Sequence, residues 1–261
     1  INNNSPRVLL VYSNIDRTVL EFNGGDFTKS SVIIEGEKFF HLNFQGEPTL
    51  LEKGKPQLPK MVRSIIIPDN AKMKLKILET EYTEFDLAVA PSKGSITRNI
   101  NPETIPYIFS DVYKTNVLYP RTLAELSDPY IMRDIRGITV TVYPFRYNPI
   151  SNTLRVYTKI LVEIIENGVD DQNVKTTRAT ERINKHFTQL YSQHFINYDR
   201  TRYDTVEERG RMIVIAYGDF MDAVQPYVDW KNQKGIKTDL YDVYEMGSNS
   251  TGIKNFIQAE Q

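Results

Sequence analysis

Apolar positions over the first two thirds of the chain recur with the period of strands. From Arg7 to about Glu166, short runs rich in Val, Ile, Phe, Tyr and Thr are cut by turn residues: RVLLVYS, TVLEFN, SVIIEG, KFFHLNF, SIIIP, MKLKILETEY, GITVTVYPFRYN and TLRVYTKILVEII. Lys72-Met73-Lys74-Leu75-Lys76-Ile77 alternates polar and apolar, the pattern of a strand with one face in water. Ser64-Ile65-Ile66-Ile67 is continuously apolar after its serine and so lies deeper. Asn23-Gly24-Gly25, Glu35-Gly36-Glu37, Gln45-Gly46-Glu47 and Asn148-Pro149 mark turns, and Tyr147 and Leu154 flank a tight link between two strands. All but one of the thirteen prolines lie at or before Pro149, which suits turns and edges and disfavours helices. The pattern predicts a mainly β fold, an antiparallel, jelly-roll-like β-sandwich.

One interior segment breaks the strand pattern. Ala90 to Pro120 is proline-rich and polar, and long loops inside compact domains are functional or disordered. Its single arginine is Arg98, in SITRNIN; on residue type alone it reads as a solvated loop position. Val169 to Ala179 turns polar, like a linker. Thr180 to Phe195 then spaces Ile183, Phe187, Leu190, Tyr191, His194 and Phe195 as an amphipathic helix, with Thr180 as its N-cap and packing as its role.

Ile196 to Ala216 changes the grammar again. Arg200, Arg202, Arg209 and Arg211 stand among acids and small polar residues, with no apolar periodicity from Asp199 to Gly210. Such a stretch buries too little to offset the entropy of ordering it, so it reads as an exposed linker, and equally as a processing junction. Beyond it, Met212-Ile213-Val214-Ile215-Ala216 reads as a parallel strand covered on both faces. A helix follows through Val224, Tyr227, Val228 and Lys231, with Asp222 as N-cap, Pro226 in the first turn and Gly235 as a left-handed C-cap. Ile236 to Val243 is the next strand and Gly252 to Glu260 the next helix, the β-α-β-α opening of an α/β domain. Two strands and two helices bury little by themselves, so a larger parent is expected. The reading divides the chain into a sandwich (1–168), a linker and helix ending at the junction (169–202) and the start of an α/β domain (203–261).

Composition narrows the chemistry. A formal net charge of -1 over 261 residues gives no field that draws nucleic acid or an anionic membrane. No apolar run is long enough to span a bilayer, and INNNSPRV lacks the pattern of a signal peptide, so any export signal lies outside this sequence. There is no cysteine, which excludes a cysteine nucleophile within the chain. His186 and His194 are eight apart, too far for an i, i+4 ligand pair, and with His41 they make up the histidines; neither a metal nor a cofactor is expected. HExxH, CxxC, GxSxG and a Gly-rich phosphate loop are missing. The carboxylate pairs Asp170-Asp171 and Glu207-Glu208 fall in polar stretches and read as solvated. Sixteen tyrosines and twelve phenylalanines suit a sandwich core, and also a stacking platform. A carbohydrate-binding or adhesive sandwich of a surface protein, with a non-catalytic α/β partner, therefore stays open as the alternative.

Longer stretches carry a family likeness. APSKGSITRNINPETIPY, LSDPYIMRDIRGITVTVYPFRYNPISNTLRVYTKILV and HFINYDRTRY resemble the propeptide of the gingipain family of cysteine peptidases, in particular the arginine-specific members. GRMIVIA with VDWKNQKGIKT resembles the start of their catalytic domain, and EKGKPQLP (Glu52 to Pro59) is similar too. The strong part runs from about Phe85 to Gln261. The resemblance implies a secreted zymogen in which the sandwich prodomain inhibits a caspase-like α/β catalytic domain and assists its folding. It implies export through a type IX machinery and removal of the prodomain by cleavage after arginine. On matching positions the final cut falls at Arg202, before Tyr203, and an internal one at Arg98. Arg98 also matches the residue presented to the primary specificity pocket, and a loop offering it in extended form could block the cleft. The family's catalytic His and Cys match nothing here, so the chain is expected to be inactive alone. Its calcium sites transfer to no residue. The implied partner is the peptidase domain of the same parent.

Overall fold

In the computed structural model, residues 5–176, 182–199, 201, 204–206 and 210–260 are described. The alternating runs form antiparallel strands: β1 (Arg7–Ser13), β2 (Arg17–Asn23), β3 (Phe27–Ile34), β4 (Glu37–Phe44), β5 (Met61–Ile66), β6 (Ala71–Asp86), β7 (Ala124–Leu126), β8 (Tyr130–Met132), β9 (Ile135–Val142), β10 (Phe145–Asn148) and β11 (Thr153–Val169). One sheet runs β1-β2-β11, with β10 and β6 also paired to β11; a second joins β5, β9, β7 and β8; β3 and β4 make a hairpin. β7 and β8 are three residues long, too short to show alternation in the sequence. The inward positions of β11 (Leu154, Val156, Ile160, Val162, Ile164) share one core with Leu20 and Phe22 of β2, Phe44 of β4 and Ile138, Val140 and Val142 of β9. Each such side chain contributes about 1.5–3 kcal/mol on burial, so this sandwich interior dominates the stability. Outside, Arg155 pairs with Glu84 at 2.7 Å and Lys159 with Glu79 at 2.9 Å, which favours the observed register of β6 on β11.

The outer face of the second sheet is covered by α1 (Lys185–His194), which follows β12 (Arg182–Asn184). The helix starts later than the periodicity predicts. Ile183, a β-branched residue, is buried from a strand, and Thr180, the expected cap, lies outside the described residues. Ile135, Ile183, Tyr191 and Phe195 form a second small core. Gly137 admits it: a Cβ there would stand 3.0 Å from Phe195 Cζ and 3.2 Å from Tyr130 Cζ. Phe195 is 1% exposed and cannot step aside, so Gly137→Ala should cost about 1–3 kcal/mol. A thermal melt showing an unchanged midpoint would contradict this.

Arg136 is fully buried, and each nitrogen of its guanidinium is hydrogen-bonded. Nε donates to Asn173 O (2.8 Å), Nη1 to Pro68 O (2.9 Å) and Ala71 O (2.8 Å), and Nη2 to Asp170 (2.7 Å) and Gln172 O (3.0 Å). The expectation that Asp170 is merely solvated is thereby corrected. Its carboxyl is held below the usual range, first by the Gln172 amide and then by Arg136. A buried guanidinium must satisfy all its N–H groups, so it draws the polar stretch after β11 onto the sandwich. Lys175 joins in, its amide donating to Asp69 O at 2.9 Å.

The chain separates into two compact units, Ile1–Asp204 and Thr205–Gln261, with β13 (Asp204–Val206) at the division. In the second unit β14 (Met212–Ala216) pairs in parallel with β15 (Thr238–Asp242), accompanied by α2 (Met221–Gln233) and α3 (Ser250–Ala259). Three details differ from expectation. β14 is half-buried rather than covered on both faces. Phe220, not Asp222, is the N-cap of α2, and Pro226 sits inside the helix rather than in its first turn, leaving the Asp222 carbonyl without its usual donor. Gly235 does take the left-handed conformation (φ +79) past the end of α2, and Asn249 caps α3 by accepting from Gly252 N at 2.8 Å. Among the described residues of this unit, Val228 and Met246 are the buried apolar side chains, so it holds a thin core.

Candidate functional site

The loop from Ala90 to Pro120 is fastened along both arms. Phe40 N donates to Ala88 O at 2.8 Å and Ala90 N to Phe40 O at 2.9 Å, which attaches its start to β4. Gln57 N donates to Ala90 O, Ser92 N to Lys55 O and Gly54 N to Ser92 O, and the far arm returns with Ser110 N on Gly54 O at 2.9 Å. The EKGKPQLP stretch is therefore the floor of the loop. Gly54 is required there: its φ is +81, and a Cβ would stand 3.3 Å from both Ile108 O and Ser110 N. Phe39, Phe109, Tyr113 and Tyr147 make a chain of ring contacts beneath, with centroids 5.3, 4.8 and 6.3 Å apart. The Tyr113 hydroxyl donates to Val89 O at 2.9 Å, and burial raises its pKa so that it keeps the proton.

Lys93 closes the tip of the loop, Nζ donating to Pro102 O at 2.8 Å while lying 4.3 Å from the Tyr107 ring centre. Asn101 caps the following turn through Glu103 N at 3.0 Å. Between these ties Ile100 N donates to Thr97 O at 3.0 Å, so Arg98 is the second residue of a tight turn. Here the segment is turned rather than extended. With no neighbouring strand to bond, the segment satisfies its own backbone instead. Arg98 is exposed, and its guanidinium bonds to no described residue.

Under the loop lies an open cleft of about 510 Å³ lined by Ser30, His41, Leu51, Gln57, Lys93 and Tyr107, among others. His41 Nε2 and the Tyr107 hydroxyl are 2.9 Å apart, and Nδ1 is buried without a partner. Burial first, and then the Lys93 charge, lower the His41 pKa from its ordinary 6.5. The folded protein thus binds fewer protons here than the unfolded chain. This stability is present above pH 6.5 and is lost as pH falls toward the folded pKa. The melting midpoint should drop between about pH 7 and pH 5, and drop less in His41→Gln. Parallel pH profiles for the two proteins would contradict the assignment.

Several other described arginines are poorer candidates for presentation. Arg121 is exposed, but its carbonyl accepts from Arg146 Nη2 at 2.7 Å, and Arg136 is buried. Arg211 is taken up by Asp239 (2.5 Å), Glu260 (2.6 Å) and the Tyr241 hydroxyl (2.5 Å). Arg200, Arg202, Tyr203 and Arg209 lie outside the described residues. His194 packs as its place in the apolar stripe predicts: its Nε2 is 2.8 Å from the Tyr130 hydroxyl and its ring stands edge-on to Phe195. Among the described residues no helix is long and apolar enough to cross a membrane. Nothing local assigns Gly54, Lys93 or His41 to the site; a glycine set between two lysines and a proline is the one usable signal.

A family model described as Propeptide_C25 matches residues 2–206. Gingipain R2 of Porphyromonas gingivalis is 38% identical over 218 residues, which is 80% of this chain and 29% of that protein. Lys-gingipain of the same species is 26% identical over 258 residues, 90% of this chain and 14% of that one. The chain thus spans under a third of the length of the curated relatives it matches. Among solved structures, the complex of Porphyromonas gingivalis RgpB pro- and mature domains aligns with a TM-score of 0.68 and 31% identity, covering 75% of this chain and 100% of that one. A structure concerned with the zymogenic latency of gingipain K aligns at 0.54 and 18% identity over 64% of this chain and 96% of that one, a likeness of fold alone.

Proposed function

Because this chain belongs to the Propeptide_C25 family, the propeptides of gingipain cysteine peptidases, we propose that its first unit inhibits the peptidase domain of its parent and assists the folding of that domain. The carrying observation is the exposed, unpartnered Arg98 guanidinium at the tip of a loop fastened on both arms. An arginine-specific pocket ends in a carboxylate, which a guanidinium meets with two parallel hydrogen bonds. Entry in extended form breaks the Thr97–Ile100 bond, worth about 0.5–1.5 kcal/mol, against about 2–4 kcal/mol for a buried arginine anchor. The exchange favours insertion. The fastened arms would also hold the two ends in place after a cut at Arg98, so the loop would leave the pocket slowly.

The same reading makes Arg202-Tyr203 the bond whose cleavage separates prodomain from peptidase. Residues 203–261 are then the opening of a caspase-like catalytic domain in a protein exported through a type IX machinery. The relative named as a complex of pro- and mature domains supports a peptidase domain as the partner. The adhesive alternative is weaker, because Phe27, Phe44 and Phe145 spend their rings on one another inside the sandwich. The test is inhibition in trans: residues 1–202 should inhibit the mature peptidase, and failure to do so at micromolar concentration would overturn the proposal.

A further inference from the structure

At the start of the junction Asn197 is buried, 7% exposed. Its Oδ1 accepts from Ile66 N at 2.7 Å and its Nδ2 donates to Ile66 O at 3.0 Å, so the side-chain amide bonds β5 as a neighbouring strand would. Nδ2 also lies 3.3 Å from Ser13 Oγ and 3.4 Å from Thr18 Oγ1. The flanking backbone is fixed too. Ile196 N donates to Ser64 O at 3.0 Å, and Tyr198 N to Phe195 O at 3.1 Å. The Tyr198 ring packs 5.8 Å from that of Tyr191.

We propose that Asn197 is the positioning residue that selects which junction arginine is cut, an inference resting on the reading that this bond follows Arg202. An endopeptidase takes its substrate as an extended strand of about four residues before the scissile bond. For a cut after Arg200 those residues are 197–200, which include the pinned amide and Tyr198. For a cut after Arg202 they are 199–202, which begin just past the pin. Arg202 is the first junction arginine whose approach leaves the Asn197 bonds intact. Rupture of two or more hydrogen bonds costs at least tenfold in rate at Arg200.

The test uses the full-length parent chain and trypsin as the arginine-cleaving probe, with junction fragments followed by mass spectrometry. In the wild type, cleavage after Arg202 should precede cleavage after Arg200 by at least tenfold. Asn197→Ala should raise the Arg200 to Arg202 ratio at least tenfold, with cutting at Arg121 unchanged, which general loosening of the fold would not spare. A Gly-Ser pair inserted between Tyr198 and Asp199 should do the same with Asn197 in place, and it decides the matter if Asn197→Ala fails to fold. An unchanged ratio in the variants, with the wild type cut after Arg202, overturns the role of Asn197 alone. A wild type never cut after Arg202 overturns the reading of the junction as well.

Discussion

Replacing Arg98 by alanine is expected to weaken inhibition of the mature peptidase by about thirtyfold to about a thousandfold, the range that corresponds to about 2–4 kcal/mol for a buried arginine anchor. The loss should fall on binding alone. Arg98 has no partner within the described chain, and the ties that shape the loop run through Lys93, Asn101 and the backbone of Gly54 and Ser92, so the melting midpoint should not move. Arg98→Lys keeps the charge but loses the two-pronged contact, and should weaken inhibition by about tenfold. Arg121→Ala removes another exposed arginine and should change nothing. If the Arg98 and Arg121 variants inhibit equally well, the loop is not the inhibitory element.

Replacing Arg202 by alanine is expected to abolish release of a mature N-terminus at Tyr203. The primary pocket proposed for the peptidase needs a guanidinium, and alanine offers neither its charge nor its length; Arg202→Lys should retard release rather than end it. Rescue by a neighbour is limited. Arg211 would have to leave Asp239, Glu260 and Tyr241 to enter a cleft. Arg200 lies too close to the Asn197 pin, which leaves Arg209 as the fallback. N-terminal sequencing of the released enzyme decides: a first residue of Tyr203 in the alanine variant would end the assignment.

Much of the fold was legible because strand alternation is local. β1, β2, β6, β9, β10 and β11 stand where the apolar runs predict them, and the positive φ at Glu35 and Gly36 fits the marked turn between β3 and β4. What was illegible depends on long-range partners. Nothing beside Arg136 announces that its N–H groups will meet carbonyls of Pro68, Ala71, Gln172 and Asn173. Nothing separates Asn197 from any other loop asparagine until Ile66 is beside it. The second sheet also carries β7 and β8, which have too few residues to show a period. Helix periodicity misled twice, over Arg182–Asn184, which form a strand, and at Pro226, because tertiary packing overrides a weak local preference. Of the site, Arg98 was visible as the single arginine of an unusual loop, while the turn that holds it came only with the structure.

Arg98 is proposed to occupy the specificity pocket of the parent peptidase. The most direct test is the mode of inhibition of that enzyme by residues 1–202 against a small arginine substrate. Inhibition should be competitive, relieved by raising the substrate concentration and largely lost in Arg98→Ala. Inhibition that is indifferent to substrate concentration, or equal in the two prodomains, would contradict it.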